Sequence, residues 1–200
     1  MKQNRSIAIP HDGTGDNRYR MLKQGTMQAA KAYSAGFYLE AIVLTEGMLW
    51  CRIASRYEWI VKQPAEERNP SRSMLKKMAK VDREELAPQF AAFTTRIDKW
   101  FDDHRNPLAH GAAKLLDKDG PSFAANMTHA RKAAELGFRI LVDWDTLDMK
   151  SRLANGWEVD NWDSEVRGPA SYPDAFDAIR ELVQQPSTRH VLDDLRKQRA

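Results

Sequence analysis

One stretch of the chain combines the residue types needed to handle a phosphodiester: Arg105-Asn106-Pro107-Leu108-Ala109-His110. Arginine carries a permanent charge and a planar fork of donors that matches phosphate oxygens. Histidine exchanges protons near neutral pH. Brought to one phosphodiester, the pair could cleave RNA without a metal. His110 would take the proton of the ribose 2′-hydroxyl, and Arg105 would hold the phosphate and stabilise its developing charge. Asn106 could add a hydrogen bond to the phosphate or to the loop. On an unbroken helix, the step from Arg105 to His110 turns about 500° and leaves the two about 140° apart. The spacing therefore predicts a break. Pro107 lacks an N–H and disfavours α geometry at Asn106, so Arg105 is expected at a helix end and His110 in the turn beyond it. A two-fold dimer that brings two copies of each residue into one cleft would also converge them.

Other polar groups have plainer expectations. Glu46 falls in the middle of an apolar helical stripe, where a carboxylate is costly unless paired or hydrogen-bonded. It is either a structural tie to an arginine or a helix terminus, or an auxiliary group that orients a catalytic Arg or His. Arg105 is its natural partner in the structural case. His104 is expected as a packed or capping residue, and His129 and His190 lie on presumed polar faces without a visible partner. Asp102-Asp103-His104 predicts no metal site, because adjacent helical residues point in different directions. His11-Asp12-Gly13-Thr14-Gly15-Asp16 lacks the ligand alternation and closing Glu of a calcium loop and is read as a turn. Cys51 is the only cysteine, which excludes an intramolecular disulfide and makes an inert core thiol its expected state. The six tryptophans are expected as core or interface anchors. No cofactor and no metal are expected.

The elements that must position these residues are helical throughout. Apolar residues at helical spacing mark Tyr38–Val61 (Leu39, Ile42, Val43, Leu49, Trp50, Ile53, Tyr57 and Ile60), with Gly36 breaking the chain before it and Pro64 after it. Earlier, Asp16 or Asn17 can cap a helix running to about Ser34. A short basic helix follows over Ser73–Val81, and Asp82-Arg83-Glu84-Glu85 resembles a capping box. The next helix carries Leu86, Phe90, Phe93, Ile97, Trp100 and Phe101 on one stripe, with Pro88 in its first turn. Beyond the Gly120-Pro121 turn, Ser122 caps a helix predicted from Phe123 to about Leu147, with Phe123, Met127, Ala130, Ala134, Gly137, Leu141 and Trp144 facing inward. Two short helices, near 173–184 and 188–198, close the chain. No strand alternation is visible. The expected fold is all-α: an antiparallel bundle of four or five helices with a small C-terminal helical appendage.

The chain has 200 residues, with 31 Lys and Arg against 28 Asp and Glu, enough for one domain with its own core. Residues 1–80 hold 14 basic and 7 acidic residues, whereas 142–177 hold 9 acidic and 3 basic. A basic half can attract a polyanion, although a solvated helical surface has the same composition. No apolar run is long enough to span a membrane, and the N-terminus has no signal-peptide core. A cytoplasmic protein is expected. The divisions read from composition are an irregular arm over 1–17, the bundle over 18–150 and an acidic, Trp-containing appendage over 151–200.

The order of these features resembles the HEPN superfamily, whose members carry an Arg-x4–6-His motif at a helix end within a helical bundle. The matching residues are Arg105-Asn106-Pro107-Leu108-Ala109-His110 and, on an earlier helix, Tyr38-Leu39-Glu40-Ala41-Ile42-Val43-Leu44-Thr45-Glu46. The resemblance covers about residues 18–150. It implies a metal-independent endoribonuclease of toxin–antitoxin or anti-phage defence, acting on RNA as a homodimer with the motif at the interface, and a possible cognate antitoxin or regulatory partner. It makes Arg105 and His110 the catalytic pair and Asn106 an auxiliary. One toxin group has Tyr two residues after the His. That position is Ala112 here, so the resemblance does not carry over that group's regulation by tyrosine modification. Some members are non-catalytic, and the alternative reading is a dimerisation or partner-binding module in which Arg105 and His110 are structural.

Overall fold

The computed structural model describes residues 14–65, 70–111, 122–156 and 175–198, with side chains from residues 21–65, 73–108, 122–156 and 176–198. Every regular element among them is a helix. The first two, α1 (Thr14–Ser34) and α2 (Tyr38–Val61), form a hairpin around Gly36, whose φ of +84° favours a residue without Cβ. α1 starts within the segment expected as an irregular arm. α2 stops at Lys62, which turns left-handed at φ +58° and donates its N–H to the Glu58 carbonyl, two residues before Pro64. Then come α3 (Pro70–Val81), a 3₁₀ turn (Glu84–Leu86) and α4 (Ala87–Trp100), with Pro88 in its first turn. A π turn (Phe101–Arg105) joins α4 to α5 (Asn106–Gly111). α6 (Phe123–Ala154) is capped by Ser122, whose Oγ accepts the Ala125 N–H at 3.2 Å. Two short helices end the chain, α7 (Ala175–Leu182) and α8 (Thr188–Lys197).

α2 is the hub of this bundle and packs against α1, α3 and α6. Its Ile42, Leu49, Ile53 and Tyr57 are buried with Met74, Leu75 and Met78 of α3, Phe90, Phe93, Ile97 and Trp100 of α4, and Phe138, Leu141 and Trp144 of α6. The Phe93 and Trp144 rings meet at 5.3 Å between centroids. Trp100 lies across α6 at Gly137, where an added Cβ would come within 2.8 Å of its Cζ2 and 3.3 Å of Thr45 Cγ2. Its indole N–H donates to the Ala133 carbonyl at 2.8 Å. This crossing holds the end of α4, and so the turn that follows it, in place.

Several expectations change. Leu39 and Val43 are 44% and 65% exposed and Phe123 is 69% exposed, so apolar spacing outlines a wider stripe than the core uses. Thr45 and Arg56 of α2 are buried instead. Asp82 forms no capping box: it accepts hydrogen bonds from Ser151 and, at 2.6 Å, from Asn155 Nδ2, tying the α3–α4 connection to the end of α6. α6 continues past Leu147 to Ala154, so the division expected after residue 150 falls inside it. Phe176, Ile179 and Val183 belong to the main core, while Met149 and Leu153 form a smaller cluster with Leu192 and Leu195 of α8. The calcium-like turn at 11–16 lies outside the described residues up to Gly13. Residues 66–69, the Gly120-Pro121 turn and the acidic stretch at 157–174 lie outside them as well.

Candidate functional site

The helix expected to end at Arg105 does not end there. Asn106 keeps α geometry at φ −64°, ψ −47°, and the helix runs on to Gly111. Pro107 has no N–H to offer the carbonyl four residues back, and its ring would crowd that carbonyl. The chain meets this by widening rather than breaking. Through Phe101–Arg105 it adopts π geometry, with the Asn106 N–H donating to the Phe101 carbonyl five residues earlier. Pro107 thus re-phases the helix without stopping it. Packing explains why: Trp100 before the turn and Leu108 after it are both buried, and a continuous helix delivers both.

Arg105, the last residue of the π turn, projects to the middle of α2. Its Nε–H donates to Glu46 Oε2 at 2.7 Å, and its Nη1 donates to Asn106 Oδ1 at 3.2 Å. The guanidinium also stands 5.9 Å from the centre of the Phe101 ring. The Arg105 side chain remains 33% exposed and that of Glu46 23%. Nη2 has no partner among the described residues, so the fork keeps donors for an incoming anion. The structure therefore brings together Arg105, Asn106 and Glu46. The His110 backbone belongs to α5; its side chain lies outside the described residues. On the continuous helix, position 110 stands about 140° around the axis from position 105, so convergence through a proline break is lost.

His104 and His129 have a relation that residue spacing did not reveal. His104 Nδ1 lies 3.1 Å from His129 Nε2, with the rings edge to face. Burial pushes the His104 imidazole below its ordinary value, and the neighbouring His129 adds to the shift. The two residues are 25 apart in sequence and on separate elements, which leaves no local signal. His190 has a neighbour too, Asp194 one turn on at 3.5 Å. Cys51, the single cysteine, is half-buried.

Among the described residues, no group of three or more His, Cys, Asp or Glu side chains could hold a metal ion. None of the described helices is long and apolar enough to cross a membrane. The fold and site define an all-helical bundle that presents one anchored, half-open arginine from a π turn. No family model, no curated protein and no solved structure matches the chain.

Proposed function

We propose that the chain is a metal-independent endoribonuclease of HEPN type, a cytoplasmic homodimer acting on RNA in toxin–antitoxin or anti-phage defence. Arg105 holds the scissile phosphate and His110 takes the proton from the ribose 2′-hydroxyl. The 2′-oxygen attacks phosphorus as the bond to the 5′-oxygen breaks, and the leaving 5′-oxygen takes a proton from water while the His110 imidazolium returns its own to solvent, so the products are a 2′,3′-cyclic phosphate and a 5′-hydroxyl. The observation that carries this reading is the state of Arg105: its guanidinium is steered through Nε by Glu46, yet the side chain is one-third exposed. Positions 105 and 110 lie about 140° apart around one helix, so the proposed cleft draws the two residue types from two copies of the chain. Leu39 and Val43 support that pairing. They lie on the Glu46 face of α2, within about 20° and 60° of Glu46, and are open to solvent.

The same ion pair supports a second reading, a non-catalytic partner-binding module in which Arg105 only ties the π turn to α2. One experiment separates the two. Purified chain is incubated with RNA and a chelator, as wild type, Arg105→Ala and His110→Ala, and each variant's melting temperature is recorded. The nuclease reading expects both folded variants to lose cleavage and the cyclic-phosphate ends. Equal cleavage by all three, or none by any, with only Arg105→Ala melting lower, leaves the tie alone.

A further inference from the structure

His104 and His129 meet where the π turn touches α6. Nδ1 of one ring lies 3.1 Å from Nε2 of the other, with centroids 5.4 Å apart and ring planes at 72°. The contact is separate from the Arg105 site, since Arg105 turns to Glu46 on α2 whereas His104 turns to α6. A hydrogen bond between imidazoles needs one N–H and one lone pair. It survives the uptake of one proton, because an imidazolium still donates to a neutral ring. It does not survive a second, because two imidazolium rings have donors only and repel each other.

Among the described residues, the beginning of α6 is lightly buried. Phe123, Ala124, Ala125 and Thr128 are exposed, and the first buried residue of the helix is Ala130. The charges facing His104 do not offset a second proton. Asp103 on its own turn favours the charged ring, while Lys99 from α4 and Lys132 from α6 oppose it. Asn106, Pro107 and Leu108 of α5 carry no charge.

We propose that the His104–His129 bond is a proton-sensitive clasp, which holds the first turns of α6 on the π turn while at least one ring is neutral and opens when both are protonated. The clasp does not depend on whether the chain cleaves RNA. Its direction follows from linkage. The folded-state value for His104 lies below the ordinary value of 6.5, so its contribution is complete above that pH and is lost as pH falls through the lower folded value.

The test uses the full chain in buffer with a chelator, so that no bound metal can bridge the rings. Ring-proton NMR follows the histidines, and amide exchange follows residues 126–130, both between pH 7.5 and 5. The clasp expects the His104 ring to titrate below 6.5 in wild type and to move up in His129→Gln, where no second imidazolium opposes its charge. It also expects the protection factors of those amides to fall about tenfold in wild type but less than about twofold in His129→Gln, whose neutral amide can pair with either form of His104. A His104 midpoint unchanged by His129→Gln overturns the proposal, as does an equal loss of protection in the two proteins. If His129→Gln does not fold, a wild-type His104 midpoint at or above 6.5 overturns the proposal.

Discussion

Arg105 and Glu46 form a pair whose value lies in direction more than in stability. Both side chains are partly exposed, and such pairs contribute only about 0–1 kcal/mol. Glu46→Gln keeps an acceptor for the Arg105 Nε–H but removes the charge. In the proposed enzyme, Glu46→Gln should therefore leave the melting temperature within about 2–4 °C of wild type, while Glu46→Ala, which releases the guanidinium, should lower RNA cleavage at least about tenfold. Cleavage by Glu46→Ala at the wild-type rate would show that Glu46 does not position Arg105. A carboxylate amid apolar residues at helical spacing pointed to Arg105 as its partner, although that face of α2 is partly open to solvent. The histidine pair was not legible. His104 meets His129 only because the π turn re-aims it, and no spacing within a single element encodes a meeting between two.

Pro107 shows the same limit for a whole element. The residue marks a place where an α-helix cannot pass unchanged, and that much is readable. Two outcomes satisfy the constraint, a stop or a one-residue widening, and only packing on both sides selects between them. Trp100, seated on Gly137, and Leu108 both reach the core, so the chain continues. Pro107→Ala removes the reason for the wide turn. Helicity by circular dichroism should be unchanged or slightly higher, since alanine relieves the proline penalty. Regular α geometry would then rotate Arg105 relative to Glu46 and Leu108 relative to the core, so cleavage should fall together with a lower melting temperature. An unaltered rate in a stable Pro107→Ala protein would detach the π turn from the chemistry. Gly137→Ala probes the anchor upstream. Its Cβ would press on Trp100 at 2.8 Å and on Thr45, at an overpacking cost of about 1–3 kcal/mol seen in urea denaturation. A neutral result would mean that the indole can shift freely and does not fix the turn.

At the scale of the molecule, residues 142–177 carry an excess of acidic residues, and two of them are buried partners of arginines. Asp145 is shared between Arg52 at 2.6 Å and Arg180 at 2.9 Å, so it fastens α7 to α2 and α6. Asp148 pairs with Arg56 at 3.2 Å and Arg152 at 3.1 Å. Composition cannot separate a buried carboxylate from a solvated one, because the difference lies in partners far along the chain. Asp145→Asn removes the negative charge shared by two mostly buried guanidinium groups and should cost about 3–5 kcal/mol in urea denaturation. The opposite surface of α2 poses the question of assembly. Leu39 and Val43 stand open beside Glu46, where a monomer gains nothing from apolar side chains. In the proposed dimer this face meets its copy and brings two Arg105 side chains toward one cleft. Leu39→Glu with Val43→Glu places like charges on both sides of that contact and touches no core residue. The melting temperature of the dilute protein should therefore stay close to wild type, sedimentation should shift from dimer to monomer, and cleavage should fall with the dimer fraction. A double variant that remains dimeric would move the interface elsewhere on the bundle; one that is monomeric yet cleaves at the wild-type rate would require Arg105 to find its proton acceptor within a single chain.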